Sequence, residues 1–139
     1  MNYQEKSTWI EISTNFAILV GYTVWLVSQL IASNFGPIEY RSVLISVFVL
    51  NLIFTIISQI VLASINHREA NMVDVRDVDI TRRSNSAAFH VMSVTLLGAL
   101  ILGLFEVGFF EIVHVLFYGG LLASIVVNGI KLWFYRAGL

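Results

Sequence analysis

The chain has 139 residues, of which 58% are hydrophobic and 12% charged, and its mean hydropathy of +0.83 lies outside the range of water-soluble domains. A formal net charge of -1 gives no basic field for nucleic acid, and no arginine-rich stripe with interleaved aromatics occurs. The lack of cysteine excludes disulfides, thiolate catalysis, iron–sulfur ligation and lipidation on sulfur together.

In chain order, the first 14 residues contain Glu5 and Glu11 and have neither the basic start nor the small-residue cleavage site of a signal peptide, so they are expected to stay on the mature protein. Trp9 and Ile12 would anchor a short interfacial helix there. An apolar run of about 20 residues crosses a bilayer as a helix, and four such runs are present. The first covers 15–34 and ends at Phe35-Gly36-Pro37, where Gly36 is expected in the left-handed region and Pro37 cannot continue a helix. The second covers 42–65, and a polar segment over 66–85 follows it. The third covers 86–105, and a short turn at Glu106-Val107-Gly108-Phe109 leads to the fourth over 110–134. The expected fold is thus all-α, a single membrane domain over 1–139 built as a bundle of four transmembrane helices. The short connections make neighbours antiparallel.

Orientation follows from lysine and arginine, because positively charged loops are retained on the cytoplasmic side. Lys6, Arg68, Arg76, Arg82, Arg83, Lys131 and Arg136 fall on one side, and Arg41 falls on the other with Glu39, Glu106 and Glu111. Both termini and the 66–85 loop are therefore expected in the cytoplasm, and the chain in the cytoplasmic (inner) membrane as a multi-pass protein. Trp9, Trp133 and Tyr135 mark the inner boundary and Tyr40 the outer one.

Membrane helices associate through small residues and interhelical hydrogen bonds. Ala17, Gly21, Ser28 and Ala32 share a face of the first helix, Thr95, Ala99 and Gly103 a face of the third, and the fourth offers Gly120 and Ser124. On the second helix Asn51, Thr55, Ser58 and Gln59 form a polar stripe that should face protein, with Asn51 expected to reach Gln29 of the first. The plain reading of these amides is structural, each interhelical bond contributing about 1 kcal/mol. The functional reading is a polar pathway. No ionisable side chain lies deep within a span, which argues against a proton-coupled pump.

Two constellations could carry chemistry. Glu111-Ile-Val-His114, with Glu106 nearby, places a carboxylate and an imidazole one turn apart at the outer face, a spacing that di-iron bundles use in pairs. One such pair is more simply an interfacial acid and a hydrogen-bonding histidine, His114 lying near Tyr118. The second constellation is Asp74-Val-Arg76-Asp77-Val-Asp79-Ile80, followed by Arg82-Arg83. Asp77 or Asp79 would cap a helix running into the third span, and Arg82 and Arg83 would sit at the headgroups. Three aspartates without the glycine and distal glutamate of an EF-hand do not make a calcium loop. His90, one turn after Ser86, is expected to hydrogen-bond within the bundle or to the loop. No Walker, Rossmann, Gly-x-Ser-x-Gly or His-Glu-x-x-His motif occurs.

The run from Asp74 through the third helix resembles a group of small, uncharacterised prokaryotic membrane proteins with four helices and an acidic D-E-R-D-x-x-I loop before the third. Val75 stands where that pattern has an acid. The resemblance implies a four-helix membrane fold and no activity.

Three functions follow as expectations. The first is a non-enzymatic accessory, regulatory or immunity-type subunit, with Asp74, Arg76, Asp77, Asp79, Arg82 and Arg83 as its cytoplasmic contact surface. The second is a homo-oligomeric small transporter or channel using the intramembrane polar residues Gln29, Asn51, Thr55, Ser58, Gln59 and His90. It is similar in size and helix count to the small multidrug-resistance transporters, which carry a membrane-embedded glutamate in the first helix; here Glu11 precedes the span. The third is a membrane enzyme holding a metal near Glu111 and His114. The expected partners are the lipid bilayer, a second copy of the chain and a membrane or cytoplasmic protein, with no nucleic acid and no cofactor. A polar cavity would favour the transporter, and a dry bundle the accessory role.

Overall fold

The computed structural model describes residues 3–66 and 74–137. His67 and Arg68 of the charged connection lie outside the described residues. Four helices are present among them: α1, Tyr3–Ala32; α2, Arg41–Ile65; α3, Val75–Leu104; and α4, Phe109–Ala137. Each is long enough and apolar enough to cross a membrane. At about 1.5 Å per residue, helices of 30, 25, 30 and 29 residues all exceed a hydrocarbon layer of about 30 Å.

The excess length of α1 and α3 lies where the sequence is polar. α1 begins at Tyr3 rather than residue 15, and α3 at Val75 rather than residue 86. Hydropathy reports the surrounding solvent, and the backbone continues as helix wherever caps and packing sustain it. On α1, Ser7 and Thr8 are buried, and Arg136 of α4 lies over the Trp9 ring at 5.4 Å. On α3 the N-cap is Asp74, with extended dihedrals and a carboxylate accepting from the Arg76 N–H at 3.4 Å. Asp77 and Asp79, the expected caps, are therefore inside the helix. Asp77 adds negative charge to the first turn, where the helix dipole favours it.

Both α1 and α3 end in the same hydrogen-bonded cap. Phe35 N–H bonds Leu30 C=O at 2.8 Å and Asn34 N–H bonds Ile31 C=O at 3.2 Å; Val107 N–H bonds Leu102 C=O at 3.0 Å and Glu106 N–H bonds Gly103 C=O at 3.1 Å. These are Schellman motifs. Their left-handed residues are Asn34, Phe35 and Glu106, and not Gly36 as the sequence suggested. Gly36 serves close approach instead: a Cβ there would stand 2.9 Å from the Ser33 carbonyl oxygen.

The helices lie in the order α2, α1, α4, α3, with neighbours antiparallel, and α3 against α4 is the most extensive pairing. The two short turns fall at one end. Tyr3, Asn66, Asp74 and Ala137 fall at the other, the basic end, with Lys6, Arg76, Arg82, Arg83, Lys131 and Arg136. Among the described residues no side chain of α2 is buried, so α2 is held on the row by α1.

The interior is unusually polar. Ser7, Thr8, Asp77, Ser84, Thr95, His114 and Asn128 are buried beside Tyr22, Leu26, Ile80, Leu121, Ala123 and Leu132, while Phe16, Ile45, Phe48 and many other large apolar side chains are exposed. In water such a surface would cost tens of kcal/mol at roughly 25 cal/mol per Å2; against hydrocarbon the cost vanishes.

Among the described glycines, Gly119 of α4 is the one held tightest against another helix, on Thr95 of α3. The small-residue face expected to pack on α1 does not: Ala17, Gly21, Ser28 and Ala32 are all exposed, and among the described residues nothing stands within 4 Å of a Cβ built on Gly21 or Gly103.

Candidate functional site

Because α2 contacts α1 and stands away from α4, an open cleft of about 600 Å3 lies between these three helices. α1 presents Glu11, Asn15 and Ile18, α2 presents Leu44, Phe48, Asn51 and Thr55, and α4 presents Phe117, Gly120, Leu121 and Ser124. Spacings of three and four residues place each set on one helical face. Gly120 borders open space, since among the described residues nothing stands within 4 Å of a Cβ built on it.

A chain of side-chain hydrogen bonds runs along the cleft. Asn51 donates to Asn15 Oδ1 at 3.5 Å, Asn15 donates to Ser124 Oγ at 2.7 Å, and Asn128 donates to the same Oγ at 3.5 Å. Thr55 donates to Asn51 Oδ1 at 3.5 Å. Nearer the basic end, Gln59 donates to Glu11 Oε1 at 2.8 Å and to Ser7 Oγ at 2.7 Å, Ser7 donates to Gln59 Oε1 at 3.0 Å, and Lys6 donates to Asn66 Oδ1 at 3.0 Å. Asn128 has no exposed surface, and its Oδ1 has no partner among the described residues. A buried, unpaired amide oxygen costs about 1–3 kcal/mol, so this end of the network has capacity for one more donor.

The α2 stripe of Asn51, Thr55, Ser58 and Gln59 lies half-buried on the α1 side of the helix, as do Val43, Leu44, Val47, Leu62 and Ala63; Ser58 donates to its own helix, at the Thr55 carbonyl. Gln29 is exposed and does not meet Asn51. The reason is depth: Gln29 lies about 4–5 Å from the end of α1, whereas Asn51 lies about 15 Å inside α2. Asn15 is the residue level with Asn51. His90 is exposed and bonds the Ser86 carbonyl of its own helix through Nδ1 at 2.7 Å.

Glu111 and His114 part company. His114 is buried and its Nδ1 lies 2.6 Å from the Phe110 carbonyl, an acceptor that fixes the proton on Nδ1. Nε2 then accepts from the Tyr22 hydroxyl at 2.8 Å. Tyr40, Phe110 and Tyr118 rings surround the imidazole, and the Tyr118 hydroxyl meets Thr23 Oγ1 at 3.0 Å. Both nitrogens are used inside the bundle, and Glu111 and Glu106 are exposed, so no joint ligand set forms.

At the basic end Asp74, Arg76, Asp79, Arg82 and Arg83 are exposed, and Arg83 Nε pairs with Asp79 at 2.9 Å. Asp77 does not share that surface. It is buried between α3 and α4, where it accepts a hydrogen bond from Tyr135.

No protein-family model, curated protein or solved structure matches the chain.

Asn15, Asn128 and Ser7 carry the network although the sequence reading gives them no role. Their signal is the spacing: Ser7, Glu11 and Asn15 repeat every fourth residue, complementary to Gln59, Thr55 and Asn51, and Ser124 and Asn128 are likewise one turn apart.

Proposed function

We propose that the protein is a small multi-pass transporter-type protein of a prokaryotic cytoplasmic membrane, holding an amphipathic small molecule in the cleft between α1, α2 and α4. The observation that carries this reading is the cleft itself, whose volume of about 600 Å3 matches drug-sized ligand sites and whose apolar walls share a polar seam. A dry, closed bundle would instead have favoured the accessory role. The lining contains one charged side chain, the Glu11 carboxylate, which disfavours an anionic head and suits a donor-rich or cationic one. Self-association accords with α2, whose side chains are all at least partly exposed.

The orientation, with both termini inside, is supported by the sorting of charge between the two ends. The cysteine-free sequence makes single thiols clean reporters. In intact cells an impermeant maleimide should label Glu106→Cys and leave Asp74→Cys unlabelled until the membrane is opened; the reverse pattern inverts the topology.

In vesicles, Thr55→Cys and Ser124→Cys should react with a charged thiol reagent at least about tenfold faster than Ile60→Cys, which is exposed on α2, because thiolate forms only where water reaches. Gly120→Leu, growing into open space, should slow both. Equal inertness of all three thiols overturns the cleft as a solvated site.

A further inference from the structure

The cleft is sorted by polarity along its length. On α1 the lining residues Glu11 and Asn15 precede Ile18; on α2, Asn51 and Thr55 follow Leu44 and Phe48; on α4, Ser124 follows Phe117 and Leu121. Because neighbouring helices are antiparallel, each of these orders puts the polar residues toward the basic end and the apolar ones toward the turns. Asn15 accepts from Asn51 and donates to Ser124, so the change of character falls at one level on all three helices.

The apolar part continues beyond the cleft. A second groove of about 390 Å3 shares Leu44 and Ile45 of α2 with it and has Phe109 and Val113 of α4 as its other wall, with Tyr40 and Arg41 at the turn end. Together they make one slot, polar toward the basic end and apolar between there and the turns.

Taking the cleft as a ligand site, as proposed above, we infer that its ligand is a single-chain amphiphile whose hydrogen-bond-donating head lies among Glu11, Asn15, Asn51 and Ser124 and whose alkyl tail runs between α2 and α4 toward Val113.

The head must donate. Glu11, the one charged side chain of the cleft lining, accepts from Gln59 through one oxygen, and a carboxylate has acceptor sites to spare. The amide oxygens of Asn15 and Asn51 are each met by a donor at 3.5 Å, beyond the usual hydrogen-bond range, so both are loosely held. Lys6, Lys131 and Arg136 do not line the cleft; Lys6 bonds Asn66 and Arg136 lies over the Trp9 ring. An ammonium or hydroxyl therefore finds acceptors, whereas an anion finds acceptors and a like charge. Arg41 offers no competing anion site at the opposite mouth, where Glu39, Glu106 and Glu111 outnumber it.

The helices set the length of the tail. Thr55 to Leu44 on α2 and Ser124 to Val113 on α4 are eleven residues each, about 16 Å at about 1.5 Å per residue. That is close to half of a hydrocarbon layer of about 30 Å, the reach of one leaflet's chain. Among the described residues only α2 and α4 line the outer groove, so a second chain would lie outside among lipid tails, where holding it gains nothing. Head toward the basic end and tail toward the turns is also the orientation of an amphiphile in the leaflet on the basic side. Such a molecule enters between α2 and α4 without turning over.

The direction of the bound molecule is open to measurement. In phosphatidylcholine vesicles, dodecylamine with a photoreactive diazirine at its tail end should label Leu44, Ile45, Phe109 or Val113, and the same amine with the diazirine beside its head should label Asn51, Thr55 or Ser124, as read by peptide mass spectrometry. Unlabelled dodecylamine or dodecanol should displace both labels. Dodecanesulfonate, which has the tail and no donor, should displace them at least about fivefold less well, because it leaves the acceptors unpaired. Val113→Trp, which fills the outer groove, should remove the tail-end label and keep the head label, and Gly120→Leu should remove both. Tail-end label at Thr55 or Ser124, tail-end label spread equally over the exposed Val94 and Leu97 of α3, or sulfonate competing as well as the amine overturns the assignment of head and tail. Head label confined to the cleft in any of those cases leaves the cleft standing as a ligand site. No cleft label from either probe overturns both.

Discussion

Replacing Gly119 by alanine is expected to destabilise the fold by about 2–3 kcal/mol, at the high end of overpacking penalties. The added Cβ would overlap Thr95 of α3, standing 2.7 Å from its Cβ and nearer still to its Oγ1 and Cγ2. Thr95 cannot swing aside at no cost, because its hydroxyl donates to the Val91 carbonyl at 2.9 Å, so the helices must separate. α3 against α4 is the most extensive helix pairing among the described residues, and separation there loosens the bundle. Thermal unfolding in detergent should show Thr95→Ala recovering part of the loss in the double variant, and Thr95→Gly, which removes all three overlapping atoms, recovering more. Gly120→Ala is the internal control. Its Cβ meets nothing, so its effect should stay within about 0.5 kcal/mol. Equal effects at 119 and 120 would mean that α3 and α4 do not approach as described.

That contact shows why part of this structure is legible in the sequence and part is not. A run of twenty apolar residues is a statement about solvent, and it locates each of the four helices within α1 to α4. It cannot say where helix gives way to loop in polar sequence, so the first turns of α1 and the Asp74-capped start of α3 read as connections. Nor does it give rotation or depth. Ala17, Gly21, Ser28 and Ala32 form as good a small-residue stripe as any, yet they face outward. Gly119, which stands hard against Thr95, lies beside Gly120, which meets nothing within 4 Å, and only the partner helix distinguishes them. Asn51 was readable as inward-facing from its stripe, but its level partner depends on the length of the 33–40 turn and on the start of α2. Asn15 rather than Gln29 is set by that turn. The cleft is less legible again, because it arises from where α2 is absent, at a distance from α4 that no single helix encodes.

At the turn end the interior polar groups are fully paired, and this makes the second large effect. Tyr22→Phe is expected to cost about 1–2 kcal/mol, the upper part of the range for interhelical bonds in membranes. The ring is retained, with its edge contact to Phe117 at 5.0 Å and its stacking on His114 at 5.8 Å, so the loss isolates the hydroxyl. With the His114 proton held on Nδ1 by the Phe110 carbonyl, the Nε2 lone pair has, among the described residues, only the Tyr22 O–H at 2.8 Å to accept from. Removing that donor leaves a buried acceptor unpaired, which costs more than the bond itself contributes. The companion variant decides the matter. His114→Phe removes the orphaned acceptor, and the Phe110 carbonyl keeps its helical position, so Tyr22→Phe in that background should cost less than about 0.5 kcal/mol. A double-mutant cycle in detergent would then give a coupling of about 1 kcal/mol between residues 22 and 114. If Tyr22→Phe costs the same with or without His114, the hydroxyl bonds something else and the aromatic cluster of Tyr40, Phe110 and Tyr118 holds this end by packing alone.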